Sequence, residues 1–518
     1  MTSTRAEHRT PRSRTGAAGG AARRSSSRTE RLTRAVGGRL RAKILLLLAC
    51  VLALDTADTS MIGAIAGKLE TVLRLSNAEL GLLASVPSLM AAVATLPVGV
   101  LTDRVTRVRL LAAGALIWAV AMAASGLAGS FDALLLTRLG LGMATATAGP
   151  TLSSLVGDYF PARERGRVYG LILSGELLGA AVGFVVSGEI GSAVSWRLSF
   201  FVLAVPCLAL AIAVWRWLPE PARGGASVLE PGATEFRTAP APRQPDGEEP
   251  EKTLAQRKVD EQHVSPQPDL VLRTDPTRMK LWKAARYVVR VRTNVILIVA
   301  SALGYFYFTG IQTFGLVLFT SRYGVSHAVA TAMFGLIGLG ALVGVVAGGR
   351  LADRLVEKAK VNGRIVVGGV SFILAAATFL VALISHSLIV SLPFFVLAGG
   401  AFAARNPALD AARLDVMHHA LWGRAEAVRT LLRRVVVGTA PLLFGLLADA
   451  LASSGASVGG QGFGAGASAK GLYWAFLLLL VTLGLSGLLT LRALRTYPRD
   501  VATAVASEEA TAGAWART

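Results

Sequence analysis

Apolar residues in this chain gather in long unbroken runs separated by short polar connections. ILLLLACVLAL (44–54) and GLYWAFLLLLVTLGLSGLLTL (471–491) hold no charged residue, and comparable runs recur throughout. A helix needs ~20 mostly apolar residues to cross the hydrocarbon of a bilayer. The pattern predicts twelve such helices, at 42–67, 78–102, 108–128, 132–158, 166–190, 197–217, 294–320, 328–352, 364–384, 388–414, 427–450 and 471–492. The expected fold is an all-α polytopic membrane protein. It divides into a basic tail (1–41), a first six-helix bundle (42–217), a linker (218–290), a second six-helix bundle (291–492) and a short tail (493–518).

The polar connections orient the helices. Arg104, Arg107 and Arg109, then Arg163, Arg165 and Arg167, then Arg350, Arg354, Lys358 and Lys360, then Arg424 and Arg429 fall in alternate connections. The intervening ones are nearly uncharged, so the positive-inside bias predicts both termini and the linker in the cytoplasm, in a bacterial inner (plasma) membrane. The segment 218–280 is rich in Pro and charge and is expected to be disordered. Its end, RMKLWKAARYVVRVR, mixes Leu281, Trp282, Tyr287 and Val288 with cations and suits the membrane surface.

Composition agrees. Hydrophobic residues make up 53% of the chain and charged ones 16%, too little polar surface for a soluble protein of this length. A formal charge of +21 raises nucleic acid as a partner, but the clustering of arginines in alternate connections gives it a topological cause. Cys50 and Cys207 lie inside apolar runs and offer neither a disulfide framework nor a metal site. Residues 1–43 do not have the layout of a signal peptide.

The two halves repeat. GVLTDRVTRVR (99–109) and GRLADRL (349–355) share G-x-L-x-D-R after the second helix of each half. GPTLSSLVGDYFPARERGR (149–167) aligns without gaps on NPALDAARLDVMHHALWGR (406–424), placing Asp158 on Asp415. Parallel halves of this kind imply a binding site between them, near the midplane, worked by rocking.

Gly99, Leu101, Asp103, Arg104, Arg107 and Arg109 resemble the signature loop of the major facilitator superfamily, and RLGLG from Arg138 to Gly142 resembles its fourth-helix motif. Within that superfamily the order Asp58, Gly99–Arg107, Arg138–Gly142, Gly149–Phe160, Gly179–Gly183 is similar to Spinster-like transporters. Asp58-Thr59 stands where those carry Asp-Arg, and Thr145 where they carry Glu. The resemblance implies a secondary transporter whose second-to-third-helix loop stabilises one access state. Gly99, Asp103, Arg104 and Arg107, with Gly349, Asp353 and Arg354, are then expected to form a gate that reaches across to groups such as Asp415 and Arg429, with Asp158 as the first-half match of Asp415. Positive-inside topology with a tight turn is the alternative reading of these arginines.

Ionisable residues within membrane helices are costly and point to a partner or a cavity. Asp55 and Asp58 share one helix face, and Asp58 and Arg138 fall at the same depth, so they can pair. Proton coupling and a structural ion pair both remain open for Asp55 and Asp58. Glu176 can load protons or meet a fixed partner, and Gly175, Gly179 and Gly183 beside it permit close helix approach. Arg405, Asn406, Asp410 and Arg413 suggest an inner-gate network, with a substrate pocket as the alternative, so Arg405 and Asp410 join Tyr305, Tyr307, Thr309, Gln312 and Thr145 as cavity candidates.

No H-E-x-x-H, G-x-S-x-G or Cys/His cluster suggests an enzyme, and duplicated halves argue against a fixed channel. The expected function is proton-coupled movement of a small amphipathic or hydrophobic organic molecule by alternating access, with export favoured. A non-transporting sensor or an importer of a polar metabolite is the alternative. The expected partners are that substrate, protons and the bilayer, for a monomer without cofactor or metal.

Overall fold

The structure, a computed structural model, describes residues 38–160, 162–221, 253–274, 281–358, 360–453 and 467–515, with 229, 276 and 279 as isolated positions. The expectations for the basic tail up to residue 37 lie outside the described residues. The first half consists of α1 (Arg39–Leu73), α2 (Asn77–Arg104), α3 (Arg107–Leu127), α4 (Phe131–Thr145), α5 (Ala148–Tyr159), α6 (Ala162–Ala193) and α7 (Trp196–Trp217). Two short helices follow, α8 (Leu254–Glu261) and α9 (Leu281–Val288). The second half holds α10 (Arg292–Tyr323), α11 (His327–Glu357), α12 (Gly363–Ile384), α13 (Leu388–Asp415), α14 (Trp422–Ser453) and α15 (Ala467–Arg492), and α16 (Tyr497–Trp515) ends the chain.

Among the described residues, nine helices are long and apolar enough to cross a membrane. The other three predicted crossings fall on α1, which is one continuous helix carrying Asp55 and Asp58, on α6, whose described side chains give an apolar stretch at Leu178–Ala193, and on the fourth crossing. The fourth crossing is split into α4 and α5. Pro150 has no N–H for the Ala146 carbonyl and its ring crowds that carbonyl, which breaks the helix there. Thr147 Oγ1 donates to the Ala144 carbonyl instead (2.8 Å).

Small residues set the closest packing. Gly175, Gly179 and Gly183 of α6 lie directly on the backbone of Ala49, Ala53 and Ala57 of α1. A Cβ at Gly179 would stand 2.0 Å from the Ala53 carbonyl oxygen. This is the small-residue interface by which helices associate where no water drives them together.

The two halves meet most closely at the end remote from residues 39 and 492, called here the distal end. There α2 packs along α14, α1 against α10 and α6 against α11. Asp449 of α14 accepts from Asn77 Nδ2 and from the Ala78 amide, both at 2.8 Å, and so caps the N-terminus of α2 from the other half. Ser76 completes the cap from within its own half as a capping box with Glu79. The Leu442 amide donates to Ser85 Oγ (3.0 Å), and Phe184 packs on Phe334 with ring centroids 4.6 Å apart.

Part of the linker departs from expectation: residues 253–274 are folded onto the near end of the second half, together with α16, while the expectation for 222–252, apart from residue 229, lies outside the described residues. Thr253 and Gln256 form a capping box for α8, which buries Ala255 and Val259. The Gln267 amide donates to Thr503 Oγ1 (2.9 Å) and the Leu272 amide to Ser507 Oγ (3.0 Å). Asp500 accepts from the Thr293 amide at the start of α10 (2.8 Å); burial pushes its carboxyl above the usual range, against the pull of that hydrogen bond. The tail is a docked helix because its inward face consists of small Ala, Thr, Ser and Val residues whose hydroxyls bond to backbone. In α9, Ala284 and Val288 are buried while Trp282 is exposed, leaving an apolar side chain facing outward.

Gly179→Ala is expected to lower the thermal stability of the purified protein, by ~1–3 kcal/mol for forced overpacking. Gly67→Ala in the same α1 meets nothing within 4 Å. It is expected to be neutral or to gain up to ~1 kcal/mol from helix propensity. Detergent-solubilised melting curves compare the two.

Candidate functional site

The structure brings Asp58 and Arg138 together. Arg138 Nη1 donates to Asp58 Oδ1 at 2.7 Å, joining α1 to α4, with both side chains buried. The guanidinium also stands over the Phe200 ring of α7, 5.0 Å from its centroid, and its Nε and Nη2 have no hydrogen-bond partner among the described residues. Removing a lone charge from water costs several kcal/mol, and the pair offsets part of that cost. It lies wholly within the first half.

Asp55, one turn toward the near end, faces the other half. Its Oδ2 lies 4.0 Å from Arg434 Nη2 on α14, and it lines a small cavity together with Thr145 within the first half. Asp55 and Arg434 are only partly buried, so the pair borders open space. Glu176 of α6 lies in the field of Arg433, Arg434 and Arg429 from α14 and of Asp55 from α1. Thr56 Oγ1 donates to the Glu176 carbonyl (2.9 Å), which fixes α6 against α1 at this level. The first half therefore presents two acids to a row of arginines on the second.

On the second half, Tyr305 of α10 is half-buried, and its hydroxyl donates to Asn406 Oδ1 at 3.4 Å. Arg405 of α13 is buried beside it, and Arg433 approaches the same ring. Arg413 pairs with Asp410 one turn earlier, and Arg429 pairs with Glu426 on its own helix. Two cavity candidates sit elsewhere. Tyr307 is buried in an aromatic cluster with Phe379, Phe444 and Phe476, on the face of α10 turned into its own bundle. Gln312 lies at the distal seam, where its carbonyl approaches Gly63 of α1.

The loop residues expected to reach across instead bind their own halves. Arg107 pairs with Asp158, with Glu220 (Nε to Oε1, 2.9 Å) and with the Pro221 carbonyl (2.6 Å). It ties the start of α3 to the ends of α5 and α7. Asp415 is buried and accepts from Arg364, Tyr497 and Thr253, while Asp353 stands 3.7 Å from Arg364. Nearer local partners thus occupy both Asp415 and Arg429. Gly99 and Gly349 lie within α2 and α11, Arg104 and Arg354 are exposed, and the Asp103 side chain lies outside the described residues.

Among the partners not singled out by the sequence are Arg364, Arg433, Arg434 and Asp449, together with Glu220, Glu426 and Tyr497. Arg433 and Arg434 carry a readable signal, since RTLLRRVVVG (429–438) places two arginines inside an apolar run as Asp55 and Asp58 stand inside theirs. Arg364 is the counterpart of Arg107, hidden because the 354–363 connection is longer than that at 104–106.

Asp58→Asn and Arg138→Gln are each expected to destabilise the protein by ~3–5 kcal/mol by leaving one buried group unpaired. The double variant is expected to recover part of this loss. Thermal melts arranged as a double-mutant cycle measure the coupling, and additive losses would contradict it.

Comparison with known proteins places this geometry. The family model for the Major Facilitator Superfamily matches residues 48–441. A probable L-galactonate transporter of Escherichia coli is 30% identical over 174 residues, 34% of this chain and 38% of that protein. A hexuronate transporter of Bacillus subtilis is 28% identical over 188 residues, 36% of this chain and 44% of that protein. A 4-hydroxybenzoate transporter of Pseudomonas putida is 29% identical over 181 residues, 35% of this chain and 40% of that protein. The matched stretches thus span less than half the length of each of these relatives. Among solved structures, a bacterial homologue of the human lysosomal transporter Spinster, in an inward-facing and occupied conformation, superposes with a TM-score of 0.64 at 19% identity, covering 89% of this chain and 98% of that one. A nucleoside transporter gives 0.57 at 11% identity, covering 88% and 99%. With a repeated helical architecture and a family match across most of its length, the chain belongs to the Major Facilitator Superfamily.

Proposed function

We propose that this protein is a secondary transporter of a small organic anion, working by alternating access in a bacterial inner membrane. The observation that carries the reading is the charge balance across the gap between the halves. The second half presents Arg433 and Arg434 near the middle of the bilayer, and the first half presents Asp55 and Glu176. A negative substrate can take the place of those acids beside the arginines. A proton taken up by Asp55 or Glu176 frees the arginines for it, which couples the two ligands. Asp58 is held within its own half by Arg138, so Asp55 and Glu176 are the better-placed proton carriers.

The alternate placement of basic connections sets the near end, with both termini, in the cytoplasm. The distal seam at Asp449 and Asn77 is then the closed outer gate, and the conformation is inward-open. The Arg107 and Arg364 clusters act in this state as braces that keep each half rigid while it rocks. The curated relatives are transporters of organic acids by their names, which agrees with an anionic substrate. The amphipathic character expected from the sequence narrows to an anion with a small apolar body.

Proteoliposomes with an imposed pH gradient and labelled organic acids test this, and loading the label on either side reads the direction. Gradient-driven accumulation is expected, and Asp55→Asn is expected to cut it at least about tenfold while anion exchange persists. Accumulation unchanged in Asp55→Asn would remove Asp55 from coupling. Absence of flux for every organic acid would overturn the transport reading itself.

A further inference from the structure

The charges of the second half do not cancel among themselves. Arg413 is matched by Asp410, Arg429 by Glu426, and Arg434 reaches Asp55. Among the described residues, Arg405 and Arg433 form no salt bridge, and both guanidiniums pack on one ring. Arg405 Cζ lies 4.5 Å and Arg433 Cζ 5.0 Å from the centroid of Tyr305. Arg405 is 1% exposed and is enclosed further by Phe402 at 4.0 Å and Phe372 at 4.7 Å. Aromatic faces attract a cation, but they do not supply the counter-charge that a desolvated guanidinium requires.

Two atoms show what is missing. Arg405 Nε and Nη2 are buried without a hydrogen-bond partner among the described residues. They form one edge of the guanidinium, the edge that takes a carboxylate through two parallel hydrogen bonds. Arg429 uses the same edge on Glu426, with Nε 2.6 Å from Oε2. Of the three rings around Arg405, Phe372 and Phe402 are buried and Tyr305 is half-buried, so access runs past Tyr305. Beyond it, Phe308 stacks on Phe402 with centroids 4.7 Å apart and planes 18° from parallel, and Phe308 is half-buried. Polar groups are sparse: Asn406 is engaged by Tyr305, and Ser301 by Arg413.

We propose that Arg405 and Arg433, arranged around Tyr305, form the carboxylate-binding subsite of the transport cavity, and that the anion it accepts is an aromatic carboxylate. The carboxylate bridges the free edge of Arg405 and the head of Arg433, and the ring lies against the half-buried Tyr305 and Phe308. A sugar acid would bury several hydroxyls against phenyl rings with few partners, an expensive arrangement. The assignment rests on the organic-anion reading above and narrows it.

The test uses the full-length purified protein with benzoate, cyclohexanecarboxylate and glucuronate as probes, measured by calorimetry and by counterflow in proteoliposomes. Benzoate is expected to bind at least about tenfold more tightly than glucuronate, with cyclohexanecarboxylate weaker than benzoate because it lacks a π-face. Arg433→Gln, at a partly exposed position, and Arg405→Gln are each expected to weaken benzoate at least about tenfold. The Arg433 variant keeps the test decisive if replacing the buried Arg405 prevents folding. Tight glucuronate binding, or benzoate binding untouched by both variants, would overturn the subsite while leaving an organic-anion transporter standing. Failure of all three anions to bind or move would overturn the subsite together with that broader reading.

Discussion

A charge inside hydrocarbon must meet a counter-charge, and much of this molecule is arranged by how each buried ion meets that requirement. Arg138 meets Asp58 inside the first half. Arg107 meets Asp158, and Arg364 meets Asp415, at matched ends of the two repeats. These pairs close within one bundle and tie its helices to one another. Asp55 and Arg434 belong to different bundles, and Arg405 and Arg433 form no salt bridge among the described residues. Arg433 and Arg434 are partly exposed on α14, and Arg405 lies buried behind Tyr305.

Packing divides the labour in the same way. The glycine stripe of α6 locks it onto α1, and the α14–α2 seam holds the halves together at one end. The tail helix and residues 253–274 brace the opposite end of the second half around Asp415. Two bundles joined at one edge, with charged faces that are only partly matched, give a geometry in which rocking changes few interior contacts.

The fold was legible because long apolar runs and alternate basic connections are imposed by the bilayer itself. The repeat was legible because Asp158 and Asp415 keep their places relative to Pro150 and Pro407. Asp58 and Arg138 could be matched by depth, since both belong to one bundle. The mate of Asp55 could not, because helix rise gives depth but not which distant helix stands opposite. Tyr307 shows the same limit: three residues apart on α10, Tyr305 and Phe308 face the gap while Tyr307 turns into the bundle, and no periodic signal separates aromatics on a helix that is apolar all round. The docked tail escaped detection because Ala, Ser and Thr make an interface without the large side chains that mark a core.

Asp449 gives the seam a further consequence. It finishes the first turn of α2, a helix of the other half, so the end of that helix is complete only while the two bundles are joined. Parting the seam leaves backbone donors to water and costs about 1 kcal/mol, the typical worth of a helix cap. Such an increment alters the ratio of two conformers about fivefold. On the alternating-access reading proposed above, the balance of conformers is then set partly by a turn of secondary structure lent by one half to the other, far from the charged groups proposed to meet the anion.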